Sequence, residues 1–211
     1  APLNTSALAA GTLACAGAAL IPDLDHPQAT IAYTFGPLSH GVAKVTQVVF
    51  GGHRVGTHSL LFAVGLGVIC QLLVMPGSPW PAWIIMFLLS AFAIRGLNLV
   101  PPRASGFVKS ITILIEAGLL VWGLSKLPTF SWQWLGAAVF LGCIIHCVGD
   151  SLTPERVPWL WPKKGRYGIP IIAKTGNFTE TKIVTPIMLI ALLPLIWFEL
   201  IQPATHWQLP F

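Results

Sequence analysis

Six long apolar runs, separated by few charges, constrain this chain more than any other feature of it. The stretch THSLLFAVGLGVICQLLVM (57–75) carries no Asp, Glu, Lys or Arg, and WPAWIIMFLLSAFAIRGLNLV (80–100) carries only Arg95. FVKSITILIEAGLLVWGLSK (107–126) and SWQWLGAAVFLGCIIHCVG (131–149) follow, with a short Ala- and Gly-rich run at 5–21 before them. The last, IVTPIMLIALLPLIWFELI (183–201), is expected to bend at Pro186 and Pro194. A helix crosses a bilayer with ~20 mostly apolar residues. The proline-containing turns at 76–79 and 127–130 are short enough to join antiparallel neighbours. Of all residues 55% are hydrophobic and 9% charged, with mean hydropathy +0.75; a soluble domain carries about 25% charged residues. There is too little polar surface to cover a water-facing globule. The expected fold is all-α, a polytopic transmembrane bundle of about six spans forming one integral membrane domain over 1–211.

Two long polar segments remain, 22–56 and 150–182. Six spans put both on one side of the membrane, with the 101–106 turn. Lys44, Arg54, Arg103, Lys109, Arg156, Lys163, Lys164, Arg166, Lys174 and Lys182 fall on or beside that face, and Arg95 lies near the same end of its helix. Lys126 falls at the other end. Positive residues mark the cytoplasmic side, so both segments read as cytoplasmic loops. The net charge of +5 therefore describes membrane orientation, and no nucleic-acid partner is expected.

The candidate metal ligands gather on the same face. PDLDHP (22–27) places Asp23, Asp25 and His26 after the first span, GGHRVGTHS (51–59) places His53 and His58 at the start of the second, and HCVGDSLTP (146–154) ends the fifth. His146 and Asp150, four residues apart, share one helix face. Glu180 precedes the sixth span; His40 is a weaker candidate, and His206 lies beyond the last span on the opposite side. Each piece has an ordinary reading: Asp beside proline favours turns, Thr57 and Ser59 suit a helix N-cap, and His146 could bond a carbonyl. Ionisable groups at the edge of apolar spans are nonetheless a functional signal, and their convergence on one face reads as a metal site. Imidazole with carboxylate suits Zn²⁺ best, with Mn²⁺ or Fe²⁺ as alternatives and room for one or two ions. Cys15, Cys70, Cys143 and Cys147 sit inside apolar runs and read as small buried hydrophobes; a soft site of Cys143, His146 and Cys147 is the alternative.

At these motifs the chain resembles the bacterial membrane-bound metal-dependent hydrolase family, which includes a LexA-regulated inner-membrane protein. PDLDHP, HRVGTHS (53–59), HCVGDSLTP, VPWLWP (157–162) and GNFTE (176–180) carry the resemblance over residues 20–185. It implies an inner-membrane hydrolase with Asp23, Asp25, His26, His53, His58, His146 and Asp150 at or beside the metal. Nothing here matches the family's early histidine. The first residue is alanine, and residues 7–22 are apolar without a basic stretch ahead of them, so this run is not expected to be an intact signal peptide. The expectation is a chain trimmed of a preceding helix.

The expected function is hydrolysis of an ester or phosphoester bond in a lipid-like substrate by a metal-activated water, with Asp25, Arg54 and Glu180 in catalytic roles. Membrane lipid is the expected partner, an anionic lipid or phosphorylated substrate held by Lys163, Lys164 and Arg166 being its sharper form. Arg54 either stabilises phosphoryl charge or holds Asp23 or Asp25. Glu116, in mid-span, is expected either to pair with Arg95 across helices or to stay protonated, in a structural role, with a proton relay as the alternative. A metal-ion transporter or a metal-binding scaffold uses the same ligands without hydrolysis.

Overall fold

The computed structural model describes residues 5–75, 78–100, 105–126 and 132–171. Six α-helices run through them: α1 (Thr5–Ala18), α2 (Pro37–Val49), α3 (Leu60–Val74), α4 (Pro79–Gly96), α5 (Gly106–Ser125) and α6 (Leu135–Ser151). No strand forms among the described residues; one isolated antiparallel bridge joins Val157 to Tyr167. Three runs are long and apolar enough to cross a membrane: Ala7–Asp25, Pro79–Gly96 and Gly106–Ser125. The helices expected at 57–75 and 131–149 are shorter, 15 and 17 residues. The sixth expected span, 183–201, lies outside the described residues, as do Glu180 and His206.

Local chemistry sets the helix starts. The Ser59 hydroxyl accepts from the Phe62 amide at 3.1 Å and opens α3. Ser105 does the same for Val108 at 3.4 Å and opens α5. Pro37 and Pro79 stand in the first turns of α2 and α4, where a missing N–H costs nothing.

Small residues set the packing. The helix α1 lies between α4 and α6, α3 lies against α6, and α5 lies against α4. Ala10, Ala14 and Ala18 of α1 are buried with Met86, Leu89, Leu135 and Val139. A side chain at Gly142 would run into the Cys15 carbonyl of α1, and one at Gly136 into the Gly67 carbonyl of α3. Without a hydrophobic drive between helices in lipid, such backbone approaches hold a bundle together. The outer faces stay apolar: Leu61, Val68, Ile69 and Leu72 on α3, Ile115, Leu119 and Trp122 on α5, and Leu141 and Ile145 on α6 are all exposed.

The segment 22–56 is not the plain loop expected. It folds into two 3₁₀ turns, Pro22–Asp25 and Thr30–Tyr33, and the 13-residue helix α2. Leu38, Val42, Val45 and Val49 recur at helical spacing on its exposed side. A period of 3.6 over 13 residues is too short to register as a span, so hydropathy alone passes over it. Both turns pack against α2, which fixes the first aspartate pair at the end of α1.

Candidate metal centre

Four elements converge at one end of the bundle. The 3₁₀ turn after α1 supplies Asp23 and Asp25, the loop and turn before α3 supply His53, Arg54, Thr57 and His58, and the last turns of α6 supply His146 and Asp150. His146 Nε2 lies 3.2 Å from His58 Nε2. Asp150 Oδ2 lies 3.3 Å from His58 Nε2 and 3.5 Å from His146 Nε2. Asp23 Oδ1 lies 3.7 Å from both histidine nitrogens.

The separations to and between the two histidine nitrogens suit neighbouring ligands of one ion. Ligands around a tetrahedral ion at ~2.0–2.1 Å stand about 3.3–3.4 Å apart, and the five measured separations run from 3.2 to 3.7 Å. Asp150 Oδ2 is buried against the two histidine nitrogens, a setting that calls for positive charge beside it, from a protonated histidine or from a metal ion. Asp23, His58 and His146 group as potential ligands on distance alone. The residues present fit a divalent ion.

Asp25 orients the cluster from behind and is fully buried. Its Oδ1 lies 2.7 Å from His53 Nδ1, and its Oδ2 accepts from the Arg54 amide at 3.0 Å and from the Thr57 hydroxyl. Thr57 Oγ1 lies 3.0 Å from His58 Nδ1. With the hydroxyl proton given to Asp25, that oxygen accepts from Nδ1–H and leaves His58 Nε2 free to face the cluster. A second grouping, Asp23, Asp25 and His53, shares the Asp23 corner, but there the Asp25 oxygens already serve three donors. Arg54, with φ 56, occupies the left-handed region that non-glycine residues enter at a cost. Its amide bond to Asp25 holds it there.

The Arg54 side chain turns the other way. Its Nη2 donates to Asp150 Oδ1 at 2.8 Å, and its Nη1 donates to Thr153 Oγ1 at 3.2 Å and to Glu155 Oε2 at 2.9 Å. It therefore steadies Asp150, whereas Asp25 meets Arg54 only through the backbone. Burial alone would lower the His58 pKa, but hydrogen bonding to Asp150, Asp23 and Asp25 outweighs it and raises the value to about 10. In the metal-free site His58 keeps a proton where a cation fits.

The remaining expectations divide. His26 stacks on His53 with ring centroids 4.5 Å apart and joins neither ligand grouping. His40 stacks on Tyr33 at 5.4 Å. Cys143 and Cys147 are buried, Cys143 Sγ donating to the Ala18 carbonyl at 3.6 Å, and no ligand grouping among the described residues contains a cysteine. No ion pair joins Glu116 to Arg95; the Arg95 Nε donates to the Thr30 carbonyl at 3.4 Å. Lys163 and Lys164 are exposed, while Arg166 donates to the Glu155 and Arg156 carbonyls. Thr57, Thr153 and Glu155 as partners of the site were not foreseen. The signal available was position: Thr57 adjoins His58, and Thr153 and Glu155 lie within five residues of Asp150. The loop after α6 is tied back by Trp159, whose Nε1 donates to Ser151 Oγ at 2.8 Å and whose carbonyl accepts from the Leu60 amide at 3.0 Å.

A helical bundle with apolar outer faces and a His–Asp cluster at one end defines an α-helical integral membrane protein. More narrowly, the chain belongs to the YdjM inner membrane protein family, whose model matches residues 1–97 and 101–205. Uncharacterized protein YvsG of Bacillus subtilis (strain 168) is 28% identical over 179 residues, covering 84% of this chain and 74% of that protein. Inner membrane protein YdjM of Escherichia coli (strain K12) and its Shigella flexneri counterpart are each 26% identical over 162 residues, 76% of this chain. The chain spans about half the length of these last two, the matched part being 54% of each. No solved structure matches. The family bears out the expected membrane protein and names no reaction.

Proposed function

We propose that this chain is a membrane-bound metal-dependent hydrolase acting on an ester or phosphoester bond of a lipid-like substrate at the cytoplasmic interface. The observation that carries the proposal is the grouping of Asp23, His58 and His146, three donors that leave room for water on an ion, with the buried Asp150 Oδ2 against the two histidine nitrogens. A divalent ion held there, Zn²⁺ by the donor set, supplies Lewis acidity toward a phosphoryl or carbonyl oxygen and lowers the pKa of water. The chain's own part is positional. Asp25 and Thr57 set the His58 tautomer, and Arg54 fixes Asp150. His53, 29% exposed with Nδ1 committed to Asp25, keeps Nε2 available to exchange a proton at the rim. Asp23 is the open corner, 31% exposed and farthest from the histidines.

A position at one end of the bundle favours hydrolysis over transport, since a transport path needs ionisable groups near the midplane. A second reading, a structural ion, is favoured by the closeness of Asp150 Oδ2 to the histidine pair, a fourth protein donor that would close a tetrahedral shell. Metal analysis of the purified protein, paired with a screen of ester and phosphoester substrates, tests both. The hydrolase reading expects at least one equivalent of metal and turnover, both lost in His58→Ala and in the pair His146→Ala with Asp150→Ala. Full metal occupancy in that double variant overturns the ligand assignment; bound metal with no turnover on any substrate supports the structural ion.

A further inference from the structure

A cleft of about 740 Å³ opens between the start of α2, α4 and α5, within the range of small-molecule sites. Phe35, Leu38, Phe87, Ile111 and Leu114 form its apolar walls, and Arg95 is the one charged residue in its lining among the described residues. The cleft runs along antiparallel helices: Arg95 and Gly106 stand at its mouth, Phe87 and Leu114 at its floor. Eight residues of helix separate mouth from floor on each side, about 12 Å of rise. Both helices are apolar enough to span a membrane, so the walls lie at hydrocarbon depth and the mouth at headgroup depth. Arg95 makes no ion pair among the described residues, and its Nε bond to the Thr30 carbonyl tethers the side chain at the mouth.

We propose that this cleft is a lipid-binding site that takes the acyl chain of an anionic phospholipid, with the phosphate on Arg95. Ligands restricted to water do not reach walls at hydrocarbon depth. A zwitterionic headgroup places a second cation beside Arg95, whereas an anionic one neutralises it. None of the metal-cluster residues lines the cleft, so the proposal stands apart from the hydrolase reading.

The full-length protein, reconstituted in nanodiscs of equimolar phosphatidylglycerol and phosphatidylcholine, is released and weighed by native mass spectrometry, with zinc measured on the same samples. The wild type is expected to retain one phospholipid, with phosphatidylglycerol preferred. Arg95→Gln should reduce that preference about fivefold, and Ile111→Trp, which fills the cleft, should lower retention of both lipids. Equal preference in wild type and Arg95→Gln overturns the proposal. Should Ile111→Trp fail to accumulate, a photoreactive benzoylphenylalanine at Ile111 replaces it: adducts to lipid support the site, and adducts to this chain's own peptides or to another protein overturn it. Lipid retention without zinc leaves the cleft standing and removes support for the hydrolase alone.

Discussion

Asp25→Asn separates the two roles of the aspartates in PDLDHP. In the wild type the Asp25 carboxylate takes the His53 imidazole, the Arg54 amide and the Thr57 hydroxyl while fully buried. Hydrogen bonds to a charged acceptor contribute about 1.5–3 kcal/mol each. They do not add: His53 is partly exposed and can turn to water, and the asparagine oxygen keeps one acceptor site. The expected loss is about 2–4 kcal/mol, a large share of the ~5–15 kcal/mol stability of a typical fold. The second effect passes through Thr57 to His58. Without a carboxylate to hold the hydroxyl, His58 loses its fixed tautomer, and loss of such a supporting group costs about 10–100-fold in metal affinity. Denaturant unfolding in a mild detergent and zinc competition against a chelator measure the two effects separately. His146→Ala is the comparison: its Nε2 meets His58, Asp150 and Asp23, the cluster itself, so zinc should leave with a smaller loss of stability than in Asp25→Asn. Asp25→Asn with wild-type stability and wild-type zinc affinity would refute the reasoning, because no partly satisfied version of that network predicts both.

Other outcomes follow from the same contacts. Arg54→Met leaves Oδ1 of the mostly buried Asp150 carboxylate without its ion-pair partner and should cost about 2–3 kcal/mol with a roughly tenfold loss of zinc affinity; Glu155→Gln, at a 68% exposed partner, should stay within about 0.5 kcal/mol. Gly142→Val should destabilise the bundle by about 1–3 kcal/mol in unfolding assays, as the new side chain meets the Cys15 carbonyl, whereas Gly118→Ala, with open space around it, should be neutral or stabilising by up to ~1 kcal/mol. The His58 pKa is raised from 6.5 to about 10, so its protonated form stabilises the metal-free fold fully below pH 6.5, and that contribution is lost as pH rises through about 10. Zinc must displace this proton, and its apparent affinity should rise about tenfold per pH unit between those limits; a flat profile removes His58 from the ligand set. A cysteine at Lys163, on the exposed loop after α6, should react with a membrane-impermeant maleimide in inverted vesicles and not in intact cells.

The apolar runs made the bundle legible, because a chain that cannot cover itself with polar groups has few folds open to it. They could not distinguish full spans from the shorter α3 and α6, since hydropathy runs into flanking residues that the Ser59 cap excludes from the helix. The helix α2 was illegible for a related reason: its apolar stripe is interrupted by Ser39, His40, Lys44 and Gln47, which reads as polar on average. The site was legible as a set and not as a geometry. Asp23 and Asp25 look equivalent in PDLDHP. In a turn of three residues per revolution, however, positions two apart point about 120° away from each other. That rotation sends Asp23 to the His58–His146 pair and Asp25 to His53, Thr57 and the Arg54 amide. An α-helical turn, at about 160°, would separate them further and leave one aspartate facing away from the histidines, whereas an extended strand would point both to the same face. The 3₁₀ turn lets one aspartate face the His58–His146 pair while the other holds His53 beside it. The division of labour within the motif is therefore a property of the turn, which the packing of α2 imposes from outside the motif.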